Sequence, residues 1–144
     1  MVGKTIDELR IGDTAFFEKT ITENDVYLFA GISGDNNPAH INEVYAKDNL
    51  FKTRIAHGML TASLISAVLG TQLPGPGTIY VSQDIRFMAP VLFNDTIKAV
   101  VEVIEINLEK NRVKLNTICT NQNNKIVISG HAIVMPPIRK IGEN

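Results

Sequence analysis

The sequence predicts an α+β domain in which one apolar helix packs against a mostly antiparallel sheet. Three observations carry that prediction. Residues 55–69 form a run with no charge from Gly58 onward. Residues 79–87 alternate, with Ile79, Val81, Ile85 and Phe87 set against Tyr80, Ser82, Asp84 and Arg86. Segments 95–107, 111–120 and 125–135 are rich in Val, Ile and Thr and are separated by Asn-rich turn signals. Period-2 alternation marks half-buried strands, and a helix apolar nearly all round belongs inside something.

Taken in order, residues 13–20 read as a short strand. Thr22 reads as an N-cap with Asp25 three positions on, followed by Val26, Phe29 and Ala30 at helical spacing. That is a capping-box pattern, and Gly31 and Gly34 end the helix it opens. Asn42 caps a second short helix through Ala46 and Lys47. In the apolar helix the spacing places Ala56, Met59, Leu60, Ser63, Leu64, Ala67 and Val68 on one stripe. Leu73-Pro74-Gly75-Pro76-Gly77 then breaks the chain, and Asn94-Asp95 and 121–124 supply later turns.

Composition narrows the function. The 144 residues suit a single domain, 1–144. Fourteen basic against fifteen acidic residues give a net charge of −1, which is no nucleic-acid footprint. The single cysteine, Cys119, excludes an internal disulfide and a Cys-rich zinc site, and fits a reducing, cytoplasmic setting. Asp7 and Glu8 stand where a signal peptide would be apolar. The stretch between Arg54 and Asp84 is uncharged, but its apolar part falls short of the roughly 20 residues of a membrane span.

One segment is chemically dense: Ser33-Gly34-Asp35-Asn36-Asn37-Pro38-Ala39-His40. Pro38 stiffens the loop and biases Asn37 toward extended geometry. Asp35 and His40, converging on one water, could orient it, take its proton and return a proton elsewhere. The alternative is a turn whose Asp and Asn side chains bond local backbone. A second segment, Ala56-His57-Gly58-Met59, opens the apolar helix. Its free N–H donors suit a carbonyl oxygen gaining negative charge. The alternative there is an ordinary glycine start, with His57 filling space or bonding backbone.

Together these segments resemble the MaoC-like (R)-specific enoyl-CoA hydratases. Phe29 to His40, followed by Ala46, looks like that family's hydratase motif. Ala56-His57-Gly58-Met59-Leu60, Leu73 to Tyr80, and Phe87-Met88-Ala89-Pro90-Val91 are similar to its later blocks. Ala39 and Gly34 depart slightly from the motif, which bears on loop packing and not on the acid–base pair. The resemblance implies a hot-dog fold, a long central helix wrapped by a curved antiparallel sheet, and a homodimer. It implies an overhanging segment, 22–52, that carries Asp35 and His40 as catalytic residues. It also implies Gly58 N–H as the oxyanion donor and Ser66 as a supporting residue. Asn37 reads as a second support, and an acyl tail must enter the sheet–helix core or the dimer interface, which makes Leu69 and aliphatics near Ile133 the candidate walls. Ser66 lies eight residues past Gly58, about 12 Å along an ideal helix. The implied reaction is reversible syn hydration of trans-2-enoyl-CoA to (3R)-3-hydroxyacyl-CoA, with no metal or organic cofactor.

Other motifs fail. Gly75-Pro76-Gly77 lacks the third glycine of a dinucleotide loop, and His40, His57 and His131 lack short-spaced zinc partners. His131 reads as structural, and Met59 and Met88 read as core fillers. Two rival functions stand. One is a 3-hydroxyacyl-carrier-protein dehydratase, with Lys47, Lys52 and Arg54 at the mouth to receive the carrier or the phosphates of CoA. The other is a non-catalytic module that binds acyl thioesters.

Overall fold

Residues 2–139 are described by a computed structural model; Met1 and 140–144, the ends of the expected domain, lie outside the described residues. After a 3₁₀ turn at Ile6–Glu8 the chain forms strand β1 (Thr14–Thr20) and helix α1 (Glu23–Ser33). Two short helices follow, α2 (Pro38–Ile41) and α3 (Glu43–Lys47), and then the long helix α4 (Gly58–Thr71). Strands β2 (Ile79–Phe87), β3 (Thr96–Asn107), β4 (Arg112–Thr120) and β5 (Ile126–Met135) complete it. All pairings are antiparallel, in the spatial order β1-β3-β4-β5-β2. The α+β class and the strand boundaries agree with the sequence reading to within a residue.

The alternation explains the sheet. On β3, Ile97, Ala99, Val101 and Val103 point inward, and on β4 Val113, Leu115, Thr117 and Cys119 do the same. They meet Leu64, Ile65, Val68 and Leu69 of α4, each at most 5% exposed. Burial pushes the Cys119 thiol up to about 12, so it stays protonated and acts as a small apolar filler.

Three local expectations change. Helix α1 runs through Gly31 to Ser33 and stops at Gly34, which takes φ +79, a left-handed cap that suits glycine. Helix α4 begins at Gly58, not Ile55, and buries Thr61, Ala62, Leu64, Ile65, Val68 and Leu69. The stripe expected inside is therefore partly outside: Met59 is 59% exposed, and Ser63 is exposed as well. A helix with small and apolar residues all round has little contrast between its faces, so its sequence does not say which side meets the sheet. The third change is Pro38–Ile41, read as a stiff loop and found as a single helical turn with Pro38 in the first position.

At the other end of the sheet, β2 is an edge strand exposed on both faces, with Ile79 57% and Phe87 55% exposed. Among the described residues no helix is long and apolar enough to cross a membrane.

Candidate active site

The loop between α1 and α2 is organised by its own side chains. Ser33 Oγ accepts from Asp35 N at 3.1 Å, and Asp35 Oδ1 accepts from Asn37 N at 3.2 Å. Asn37 Oδ1 accepts from Ala39 N at 3.1 Å and so caps α2. This is the local bonding that Asp and Asn favour in turns, and it turns Asp35 and His40 toward one another. Asn37, expected as a supporting residue, starts the turn that carries His40.

His40 is 8% exposed. Its Nδ1 lies 2.7 Å from the Ile55 carbonyl oxygen. A carbonyl only accepts, so Nδ1 carries the proton and Nε2 keeps a free lone pair. Burial lowers the pKa of His40 below its ordinary 6.5, the hydrogen bond to Ile55 opposing this and the neighbouring His57 adding to it. The ring is thus held as a neutral base near pH 7.

Ligand atoms of Asp35, His40 and His57 all lie within 4.8 Å of one another. Three such groups invite a metal. The two imidazoles, however, are stacked, with centroids 3.8 Å apart and planes at 29°. In stacked rings the in-plane lone pairs run alongside each other, so they do not converge on one ion as a tetrahedral or octahedral site requires. The donor set does not fit a metal.

These side chains border a cavity of about 450 Å³. Its walls include Gly58 at the start of α4, with Phe87, Met88, Val91, Val127 and Ile128. The Gly58 N–H is one of the four donors that a helix N-terminus leaves without an intrahelical partner. A Cβ at this position would lie 2.5 Å from Cε1 of Phe87, so a larger residue would have to displace that ring. Asp35, His40 and Gly58 N–H are thereby brought to one apolar-walled cavity.

Other expected site residues are elsewhere. Leu69 is 1% exposed in the core between α4 and the sheet and does not reach the cavity. Ile133 lies on the outer face of the sheet, in a groove with Ile104, Ile106 and Lys114. The strand's period-2 alternation turns it away from the helix while Ala132 and Val134 point inward. Neither lines this cavity. Ser66 faces a separate groove between α4 and β2, with Ser63, Tyr80 and Gln83. Met59 and Met88 are not core fillers: both are more than half exposed and both line the cavity. His131 pairs loosely with Asp84 across the β2–β5 edge, 3.5 Å apart.

Arg54 is also reassigned. Its Nε and Nη1 reach Glu43 and Glu23, each at 2.8 Å, Nη1 also meets the Tyr27 hydroxyl, and the guanidinium lies 4.9 Å from the Phe93 ring centroid. The two carboxylates raise its pKa further. A guanidinium spent in this way is not free for a phosphate. Lys47 and Lys52 remain exposed.

Sequence reading missed one contact of the site. His57, 2% exposed, bonds the backbone carbonyl of Asp35 through Nε2 at 2.9 Å. Bonding to backbone was one of the options for His57, but no local pattern says that the backbone would be that of residue 35.

Known proteins share this arrangement of elements. A relative from Rhodospirillum rubrum described as (R)-specific enoyl-CoA hydratase is 55% identical over 133 residues, 92% of each chain. A 3-hydroxybutyryl-CoA dehydratase from Methylorubrum extorquens is 46% identical over 91% of this chain and 83% of its own. Among solved structures, the unliganded R-hydratase PhaJ1 from Pseudomonas aeruginosa superposes with a TM-score of 0.89 at 44% identity, covering 99% of this chain and 94% of that one. That likeness fixes the fold as a hot dog. Residues 10–126 match the MaoC like domain from β1 through the start of β5, a span that holds Asp35, His40 and Gly58 together, and the chain belongs to that family.

Proposed function

We propose that this chain is an (R)-specific enoyl-CoA hydratase, adding water reversibly to trans-2-enoyl-CoA to give (3R)-3-hydroxyacyl-CoA. The observation that carries the reading is the free Nε2 of His40 beside Asp35, in the same cavity as the Gly58 N–H. The names of the relatives agree with it.

The chemistry needs three things. The β-carbon of the enoyl thioester is electrophilic only if the thioester oxygen can accept charge, and the Gly58 N–H stabilises that oxygen as it becomes enolate-like. The Asp35 carboxylate orients the water by accepting one of its hydrogens. His40 Nε2 takes the other as the water oxygen bonds to Cβ, and then delivers it to Cα. Water is consumed, one proton passes through His40, and no charge is left over. Delivery of both parts of water from one face gives syn addition. No step asks for a metal or an organic cofactor.

Several finer points belong to this reading. The chain acts as one domain in which residues 22–52 overhang the site. The exposed edge of β2 and the outward face of α4 favour a homodimer, since an unpaired apolar edge strand recruits another strand. Lys47 and Lys52 are left to meet the phosphates of CoA. The buried thiol Cys119 agrees with work in the cytoplasm.

Crotonyl-CoA hydration with the product's configuration resolved is the test. A 3R product supports the reading, and a 3S product overturns its stereochemistry. No turnover on any enoyl-CoA, with turnover on the carrier-protein thioester, would replace the substrate class. Inactivity on both would leave a binding module.

A further inference from the structure

His57 touches both members of the acid–base pair and is covalently joined to the residue that supplies the oxyanion donor. Its ring stacks on His40 at 3.8 Å, and Phe29 from α1 leans on it at 4.8 Å and 59°. Its Nε2 lies 2.9 Å from the Asp35 carbonyl oxygen. Because that oxygen only accepts, Nε2 carries the proton and Nδ1 is a bare acceptor. Nδ1 is buried without a partner, and so is the hydroxyl of Thr61, one turn further along α4.

Among the described residues, the loop bearing Asp35 is otherwise hydrogen-bonded only to itself and to the adjoining helix ends, by the bonds of Ser33, Gly34 and Asn37. His40 is fixed along one ring edge by Ile55 and across one face by His57. We propose that His57 is the positioning residue of the site, holding Asp35 through its backbone and His40 through its ring in fixed register with Gly58 N–H. It does not itself touch the reacting atoms. The inference rests on the acid–base reading of Asp35 and His40.

The ionisable groups facing His57 are Asp35 from the loop and His40 from α2; Phe29 from α1 and Thr61 from α4 carry no charge. A second imidazole against His40 disfavours its charged form, so losing His57 lets His40 protonate at higher pH.

Two variants separate the contacts. His57→Phe keeps a ring but loses the donor, and His57→Gln keeps a donor but loses the imidazole. Misplacing reacting groups by about 1 Å costs on the order of 10²-fold. His57→Phe is therefore expected to lower kcat about 10- to 100-fold with KM nearly unchanged. His57→Gln should recover much of that loss, and the acid limb of kcat/KM should move to higher pH in both. Equal losses in the two variants with an unmoved acid limb, or no loss in either, overturn the proposal. Should a variant not fold, imidazole ¹⁵N spectra of the unmodified protein decide: His57 must be the Nε2–H tautomer and His40 the Nδ1–H tautomer, and the reverse assignment for His57 overturns it. Full activity in Asp35→Asn and His40→Ala would instead remove the acid–base reading itself. Loss in those two with no effect at His57 would remove this inference alone.

Discussion

The overhanging segment and the sheet are held together by different forces. Around β3, β4 and α4 the contacts are apolar and nearly all fully buried, Val101, Val103, Val113, Leu115, Ile65 and Val68 being 0% exposed. In residues 22–52 apolar anchors are few, Val26, Ala30 and Ala46 among them; caps, Asx-type turns and a clasp from Arg54 do most of the joining, and Ile32, Val44 and Leu50 are each more than three-quarters exposed. Burial is non-directional and tolerates small shifts; a hydrogen bond fixes an atom's position and weakens steeply with misalignment. The segment that must aim two side chains at one water is built from the directional kind. The segment that must keep the chain folded is built from the other.

The widest separation between the two regions should come from the acid–base pair. Asp35→Asn and His40→Ala are each expected to lower kcat by about 10²–10⁴, the usual worth of a positioned acid–base group. Thermal unfolding should be little changed by Asp35→Asn, whose side chain is exposed, and lowered moderately by His40→Ala, which removes a buried ring bonded to Ile55 but lying outside the apolar core. A large drop in Tm with either variant would mean that the overhang carries the fold, and the contrast would collapse.

Leu115→Ala is the reverse experiment. Leu115 is 0% exposed in the centre of β4, and removing such a side chain costs about 2–5 kcal/mol. Denaturant midpoints should fall accordingly, while kcat of the molecules that remain folded stays near the original value. A matching fall in kcat would show that the sheet transmits strain to the loop.

The same contrast decides what was legible in the sequence. Strand ends such as Thr96 and Thr120 are readable because period-2 alternation and Asn turns are local and redundant. Asp35 and His40 are readable because five positions and a proline hold them in one motif. The inward face of α4 is not, because Met59, Ser63 and Ala67 are as acceptable inside as Ile65 and Leu69, and only the sheet decides. Met59 and Met88 are hidden for a related reason: their chemistry says apolar, but the cavity they line is made by segments 29 residues apart. Ile133 shows the cost of one position in a strand, since Ala132 and Val134 face in and it faces out. The bond from His57 to Asp35 O spans 22 residues and belongs to tertiary packing alone.

Arg54→Ala sharpens the comparison from just past the end of the overhang. It removes the donors that Glu23 of α1 and Glu43 of α3 share, together with the guanidinium over Phe93. Those pairs are partly solvated, where ion pairs contribute modestly. The expected result is faster amide exchange across α1 and α3, a smaller loss of global stability than Leu115→Ala gives, and a measurable fall in kcat. Exchange that rises equally in β3 and β4 would show that the clasp belongs to the core.

The smallest effect is the most specific to the site. Burial holds the pKa of His40 below 6.5 in the folded protein, while the unfolded chain titrates near 6.5. Above pH 6.5 both states are neutral at this residue and stability does not depend on it. As pH falls from 6.5 toward the folded value the unfolded state binds the proton first, so stability declines over that interval. It levels off, for this residue, once the folded state is protonated as well. Activity follows the same group in the other direction of argument: kcat/KM should stay level near neutrality and lose its acid limb only below pH 6.5, where His40 Nε2 takes a proton and can no longer accept one from water. His40→Asn should remove part of the slope of Tm against pH in that window. An acid limb lying above pH 6.5, or a slope unchanged by the substitution, would mean that the base is another group and that the overhang aims something other than His40.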